Sequence, residues 1–292
     1  MVARTLSFVM NASMCRFVIL EVAILLCMMA TTDGVSDRHS YSLSTFNPSG
    51  DLVQVTHAVR ASQSGVPVVA LSSSRDREMD GVYFASPQRL LASSPLASED
   101  GTPRFVQITY SICLGHTGVT SDGRALIAKA TELALSHRYV YGIEITQEEL
   151  LAGLSAEMQS YTHKPGCRPY GALIVVGCLG SEDDEHTVFQ VDPSGTIRSL
   201  TALHRSHEEE TATSAAAFVG NWNAHDTLSM KRNLERRTFE SEEQIQAALA
   251  EVARATYYDG ALSGKREDKY TPVMIVSFSR RRGLQINEVD RR

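Results

Sequence analysis

Cysteine is scarce in this sequence, and what there is of it is not arranged for metal or disulfide work. The five cysteines, Cys15, Cys27, Cys113, Cys167 and Cys178, are unevenly spaced and form no Cys-x-x-Cys pair. That argues against a disulfide framework and against a structural zinc site, and it fits a reducing compartment. Cys113 and Cys178 lie in apolar runs, where a free cysteine acts as a small buried hydrophobe. Cys167 sits in a tight corner, and no basic, catalytic arrangement surrounds it in sequence to make it a nucleophile. Excess positive charge is also missing: the formal net charge is −6, which offers nucleic acid no attractive field. The arginines at 280–282 and 291–292 read as a solvated tail. A membrane-length hydrophobic run is lacking as well. Phe17 to Ala30, "FVILEVAILLCMMA", is interrupted by Glu21 and is short for a bilayer span, so no stable membrane insertion is expected. With Arg4 and Arg16 before it, the run resembles parts of a secretory signal. The reading preferred here starts translation at Met28 or Met29, with residues 1–38 a leader or disordered extension and 39–292 a single domain.

What is present is a hydrophobic share of 43% on 292 residues, enough to bury a substantial core. Leu52, Val55 and Val59 give a short helix one apolar stripe. "VPVVALSSS" and "GVYFAS" read as strands joined at Asp80-Gly81, residues 87–103 as a loop, and "RFVQITYSICLG" as a further strand. A helix follows, with Ser121 or Asp122 as N-cap and Leu126, Ala130, Leu133 and Ala134 inside. In the next, Thr146 and Glu149 form a capping box ahead of Leu150, Leu151, Leu154, Met158 and Tyr161. Pro165-Gly166 ends that helix, and "ALIVVGCL" reads as a strand covered on both faces. "TVFQV" and "TIRSLTAL" flank the turn "DPSG". Helices are then expected from Glu208 to about Trp222 and after a Ser241 cap, where Gln244 closes a second box and Ile245, Leu249, Val252 and Ala253 face inward. "PVMIVSFS" is a last strand before the charged tail. Strands and helices in this grouping predict an α+β fold of two sheets stacked between helical layers.

Three motifs occur in order: "YSLSTFNPSGDLVQVTHA" (Tyr41 to Ala58), "GCRPYG" (Gly166 to Gly171) and "VFQVDPSG" (Val188 to Gly195). Together they resemble the signatures of proteasome core alpha-type subunits, and the opening and the ending "GLQINEVD" are most similar to the alpha type-2 class. The resemblance implies the four-layer αββα sandwich of the N-terminal-nucleophile hydrolases. It implies a seven-membered ring of alpha subunits as partners, with beta subunits and activator C-terminal tails, in cytoplasm and nucleus. It implies a role in assembly, substrate gating and activator docking during ubiquitin-dependent degradation. The gate and N-terminal turn carry over to His39, Ser40, Pro48, Gly50 and His57; of the gate cluster His39, Ser40, Pro48 and His57 only Pro48 keeps the family residue, while the turn from Phe46 to Gly50 survives. The activator pocket carries over to Arg104, with Gly118 opposite, and the structural corner to Arg168, Pro169 and Gly171.

Catalytic relatives use an N-terminal threonine freed after a glycine, tuned by an aspartate and a lysine. Here Gly65 is followed by Val66, the aspartate position falls on Pro87 and the lysine position near Arg104. No catalytic residue, cofactor or metal is therefore expected. His204, His207 and Glu208 could ligate a metal but read as solvated surface. The alternative is a divergent hydrolase or unincorporated paralogue of the same fold, possibly secreted.

Overall fold

Thr146 is the clearest local signal in the chain, and its geometry is complete. Its hydroxyl accepts the Glu149 amide at 3.3 Å, and the Glu149 carboxylate accepts the Thr146 amide at 3.2 Å. Two orphan donors at the helix start are satisfied reciprocally. The computed structural model describes residues 45–73, 79–87, 104–180, 185–201, 214–220, 224–260 and 273–289. The elements are, in chain order, α1 (Val53–Gln63), β1 (Val68–Ser73), β2 (Gly81–Pro87), β3 (Phe105–Gln107), β4 (Ile112–Gly118), α2 (Thr120–Tyr141), α3 (Gln147–His163), β5 (Ala172–Cys178), β6 (Thr187–Val191), β7 (Ile197–Ser199), β8 (Ser214–Val219), α4 (Ala224–Arg236), α5 (Glu242–Gly260), β9 (Val273–Ser279) and β10 (Gly283–Val289). Residues 1–54 and 55–292 form separate contact units. The leader, with His39 and Ser40, lies outside the described residues.

The larger unit carries two antiparallel five-stranded sheets, ordered β10-β9-β2-β1-β8 and β3-β4-β5-β6-β7. Alternation along each strand sends side chains to two cores. In β1, Val69 and Leu71 face α5 together with Ile245, Leu249 and Ala253, while Val68 and Ala70 face the other sheet. In β5, Ile174 and Val176 meet Leu126, Leu150, Leu154 and Met158 of α2 and α3, while Leu173 and Val175 face the first sheet. Phe84 and Phe105 meet across the sheet interface with ring centroids 5.1 Å apart. The expected αββα order of layers is the observed one. Cys113 and Cys178 are buried packing residues, and burial pushes the Cys178 thiol up to about 12.

Several local expectations are corrected. Val119, not Ser121 or Asp122, stands at the N-cap of α2 and makes no side-chain cap bond. Asp122 lies one turn further in, where its carboxylate is used elsewhere. The stretch after Arg104 is two strands, because the Ile108 and Thr109 amides both turn back to the Ile112 carbonyl. The helix expected over Glu208 to Trp222 fails where it is described: residues 214–219 are β8. Alanine favours helix in isolation, but here Ala215, Ala216 and Ala217 pair with Ser72, Leu71 and Ala70 of β1. The helix lies later, at α4, and its Glu235 carboxylate accepts the Ala216 amide at 3.2 Å, covering a donor on this edge strand. The Ser241 box is displaced by one residue: Ser241 accepts the Gln244 amide at 3.4 Å, while the Gln244 side chain accepts from Glu240. The charged tail is a hairpin strand, with β10 running back along β9. Arg280 and Arg281 are exposed in its turn, and Arg282 pairs with Glu242 at 2.8 Å.

Candidate functional site

The residues matched to a nucleophile, its aspartate and its lysine converge on one end of the sandwich. Val66 lies in the short link between α1 and β1, Ser86 and Pro87 end β2, and Arg104 precedes β3 across from His116 on β4. Gly65 fits only because it has no side chain: a Cβ there would stand 2.0 Å from the Gly118 amide nitrogen. Gly118 takes φ +99°, which a side-chain-bearing residue rarely adopts, and a Cβ on it would be 2.7 Å from Ser62 Cα at the end of α1. This pair lets helix and strand ends touch.

Arg104 spans the site. Its Nη2 donates to the Val66 carbonyl at 2.5 Å, its Nε donates to the His116 carbonyl at 2.7 Å, and its Nη1 donates to the Ser86 hydroxyl. Ser86 in turn donates to the Pro67 carbonyl at 2.9 Å, and the Thr117 hydroxyl donates to the Val66 carbonyl at 2.7 Å. Burial lowers the guanidinium pKa to about 10, which leaves it a cation at neutral pH. The ring of His116 is buried against α2, where a Cβ on Gly123 would strike it, and its Nδ1 lies 3.2 Å from the Arg104 carbonyl. Burial, and secondly the Arg104 charge, pull its pKa down to about 4, so it is neutral. With the carbonyl as acceptor, Nδ1 carries the proton.

This arrangement has a buried cation but neither a nucleophile at Val66 nor a carboxylate at Pro87. Its chemistry is to hold main-chain carbonyls. All three guanidinium nitrogens of Arg104 are aimed at internal acceptors. Arg104 is placed as an internal clasp and not as a surface cation waiting for a carboxylate.

The corner at Arg168, Pro169 and Gly171 is built around Asp122. Arg168 donates to both Asp122 oxygens, at 2.5 and 2.8 Å, and the Gly171 amide donates to Oδ2 at 2.7 Å. The Arg168 bonds, ahead of any other cause, hold the Asp122 carboxyl below its usual range. Pro169 is buried, and Gly166 makes the turn out of α3 with φ +76°. The N-terminal turn is self-contained: the Gly50 amide donates to the Asn47 carbonyl at 2.9 Å, the Asp51 amide to Asn47 Oδ1 at 2.7 Å, and Pro48 sits exposed at its second position. His57 is exposed on α1.

Sequence reasoning missed His186. Its Nδ1 accepts the Gly180 amide at 3.0 Å, so Nε2 carries the proton and donates to Asp80 at 2.7 Å. The partners lie 106 positions apart, and no local pattern joins them. Among the described residues no group of His, Cys, Asp or Glu could hold a metal ion, and no helix is long and apolar enough to cross a membrane. His204, His207 and Glu208 lie outside the described residues.

Comparison with known proteins agrees with the geometry. Residues 77–216 match the sequence profile of the proteasome subunit family. The chain is 34% identical over 161 residues to proteasome subunit alpha type-2 of Caenorhabditis elegans, and 32% identical over 160 residues to that of Drosophila melanogaster. Each alignment covers 55% of this chain, and they cover 65% and 64% of the two relatives. A probable proteasome subunit alpha type-2 of Neurospora crassa is 30% identical over 188 residues, which is 63% of this chain and 70% of that one.

Proposed function

The chain belongs to the proteasome subunit family, and from that premise we propose that it is a non-catalytic alpha-type subunit of the core particle. It acts in the cytoplasm and nucleus, in a seven-membered ring with other alpha subunits and against beta subunits. There it contributes to assembly, to gating of substrate entry and to reception of activator tails in ubiquitin-dependent degradation. The observation that carries the reading is the site at Val66. The position that catalytic relatives fill with threonine holds a valine, and the cation beside it is engaged on that residue's own carbonyl. A hydroxyl nucleophile has no counterpart there.

Two surfaces support an assembled state. Val55 and Val59, on the apolar stripe of α1, are only half-buried within the chain. At the end of α2, Leu135, Tyr139, Val140, Tyr141 and Ile143 are all exposed, Tyr139 to 91%. Apolar groups gathered in this way mark surfaces that a partner covers. For the gate, the reading assigns the turn at Pro48 and Gly50, with His57 on the adjoining helix and His39 and Ser40 preceding. For activator tails, Arg104 contributes by fixing Gly118 and the end of α1, and the tail carboxylate is met by another group. Native mass spectrometry of the tagged chain from its own cells tests the proposal. Recovery with a set of subunits of ~25–30 kDa, each near the size of one such domain, is expected. A lone monomer would instead establish an unincorporated paralogue.

A further inference from the structure

Arg104 touches three separate pieces of chain, and they belong to both sheets. Val66 and Pro67 lead into β1, Ser86 ends β2 beside it in the first sheet, and His116 and Thr117 close β4 in the second. Between these points the two sheets meet through apolar side chains, which attract without direction. We propose that Arg104 is the pin of a latch that fastens the α1–β1 junction to both sheets, and that its planar fork, rather than its charge alone, makes the latch. In this reading the cation beside Val66 serves as a fixed joint.

The chemistry requires a fork. The acceptors are two carbonyls and a hydroxyl in different directions, and a guanidinium offers five N–H donors in one plane, whereas a lysine offers a single ammonium. The three hydrogen-bond partners of the guanidinium are neutral, so the burial of its charge is offset by hydrogen bonds to the Val66 and His116 carbonyls and the Ser86 hydroxyl. The Val66 carbonyl takes two donors, one from Arg104 and one from Thr117, so both of its lone pairs are used. Removing either donor loosens the same short segment.

The test is hydrogen exchange by mass spectrometry on the full chain, comparing Arg104→Lys and Thr117→Val with wild type. A latch predicts that exchange rises by about tenfold or more in segments 64–69 and 84–87 of Arg104→Lys, rises less in the same segments of Thr117→Val, and stays unchanged in α3. If Arg104→Lys fails to fold, Thr117→Val decides: a rise confined to 64–69 and 84–87 supports the latch, and no rise there overturns it. Unchanged exchange at the junction in both variants overturns it. So does a rise spread evenly over the molecule, since Arg104 would then stabilise the chain without fastening that joint.

Discussion

The two halves of the sandwich each bury an apolar core but are assembled in opposite ways. The half formed by residues 104–201 is nearly consecutive: β4 pairs with β5, β5 with β6 and β6 with β7, and α2 and α3 fall between paired strands. The other half is closed by the flanks of the chain, with Val68 opposite Val219 and Val82 opposite Phe278. One half rests on local decisions and the other on contacts over most of the chain length. The polar bonds at Arg104 and at His186–Asp80 join the consecutive half to the distant one, at opposite ends of the strands.

Truncation of one core residue in each half tests how far the halves are independent. Leu154 of α3 and Leu249 of α5 are both fully buried, so Leu154→Ala and Leu249→Ala should each cost about 3 kcal/mol within the usual 2–5 range. One shared unfolding transition, shifted equally by both variants in denaturant, is expected of a latched sandwich. Two transitions, each moved by only one variant, would show that the halves unfold separately. A second test uses pH. His116 has its pKa lowered to about 4, below its unfolded value of 6.5, so the unfolded chain binds more protons between those values. Its contribution to stability is present above pH 6.5 and is lost as the pH falls to about 4, by up to about 3 kcal/mol. Denaturation midpoints measured from pH 7 to pH 4.5 should fall steeply in wild type and more shallowly in His116→Asn. The caps give the smallest contrast. Thr146→Ala removes a complete box and should cost about 1 kcal/mol, while Ser241→Ala removes a single long bond and should cost a few tenths. Equal losses would mean that the displaced box at Ser241 is as strong as the reciprocal one.

This contrast also accounts for what could be read from sequence. In the consecutive half, the Thr146 box, the apolar face of α3, the corner at Pro165-Gly166 and the run that becomes β5 all express themselves within a few residues, and all were legible. Asp122 looked like a cap because its true partner, Arg168, lies 46 positions away. In the other half, the alanines of β8 look helical until β1 is beside them, and β10 looks like a tail until β9 is. The candidate site divides in the same way. Val66 and Pro87 could be placed by motif, a valine and a proline at the positions matched to a nucleophile and a carboxylate. The direction of the Arg104 fork could not, because it depends on two carbonyls and a hydroxyl contributed by three stretches of chain brought together only by the finished fold.

The central claim, a closed and non-catalytic site at the α1–β1 junction, is tested most directly by peptide-level mass spectrometry of the native protein after treatment with a covalent threonine-directed inhibitor. The account predicts a peptide that runs uncut through Gly65 and Val66 and carries no adduct. Cleavage between those two residues, or inhibitor bound to the chain, would contradict it.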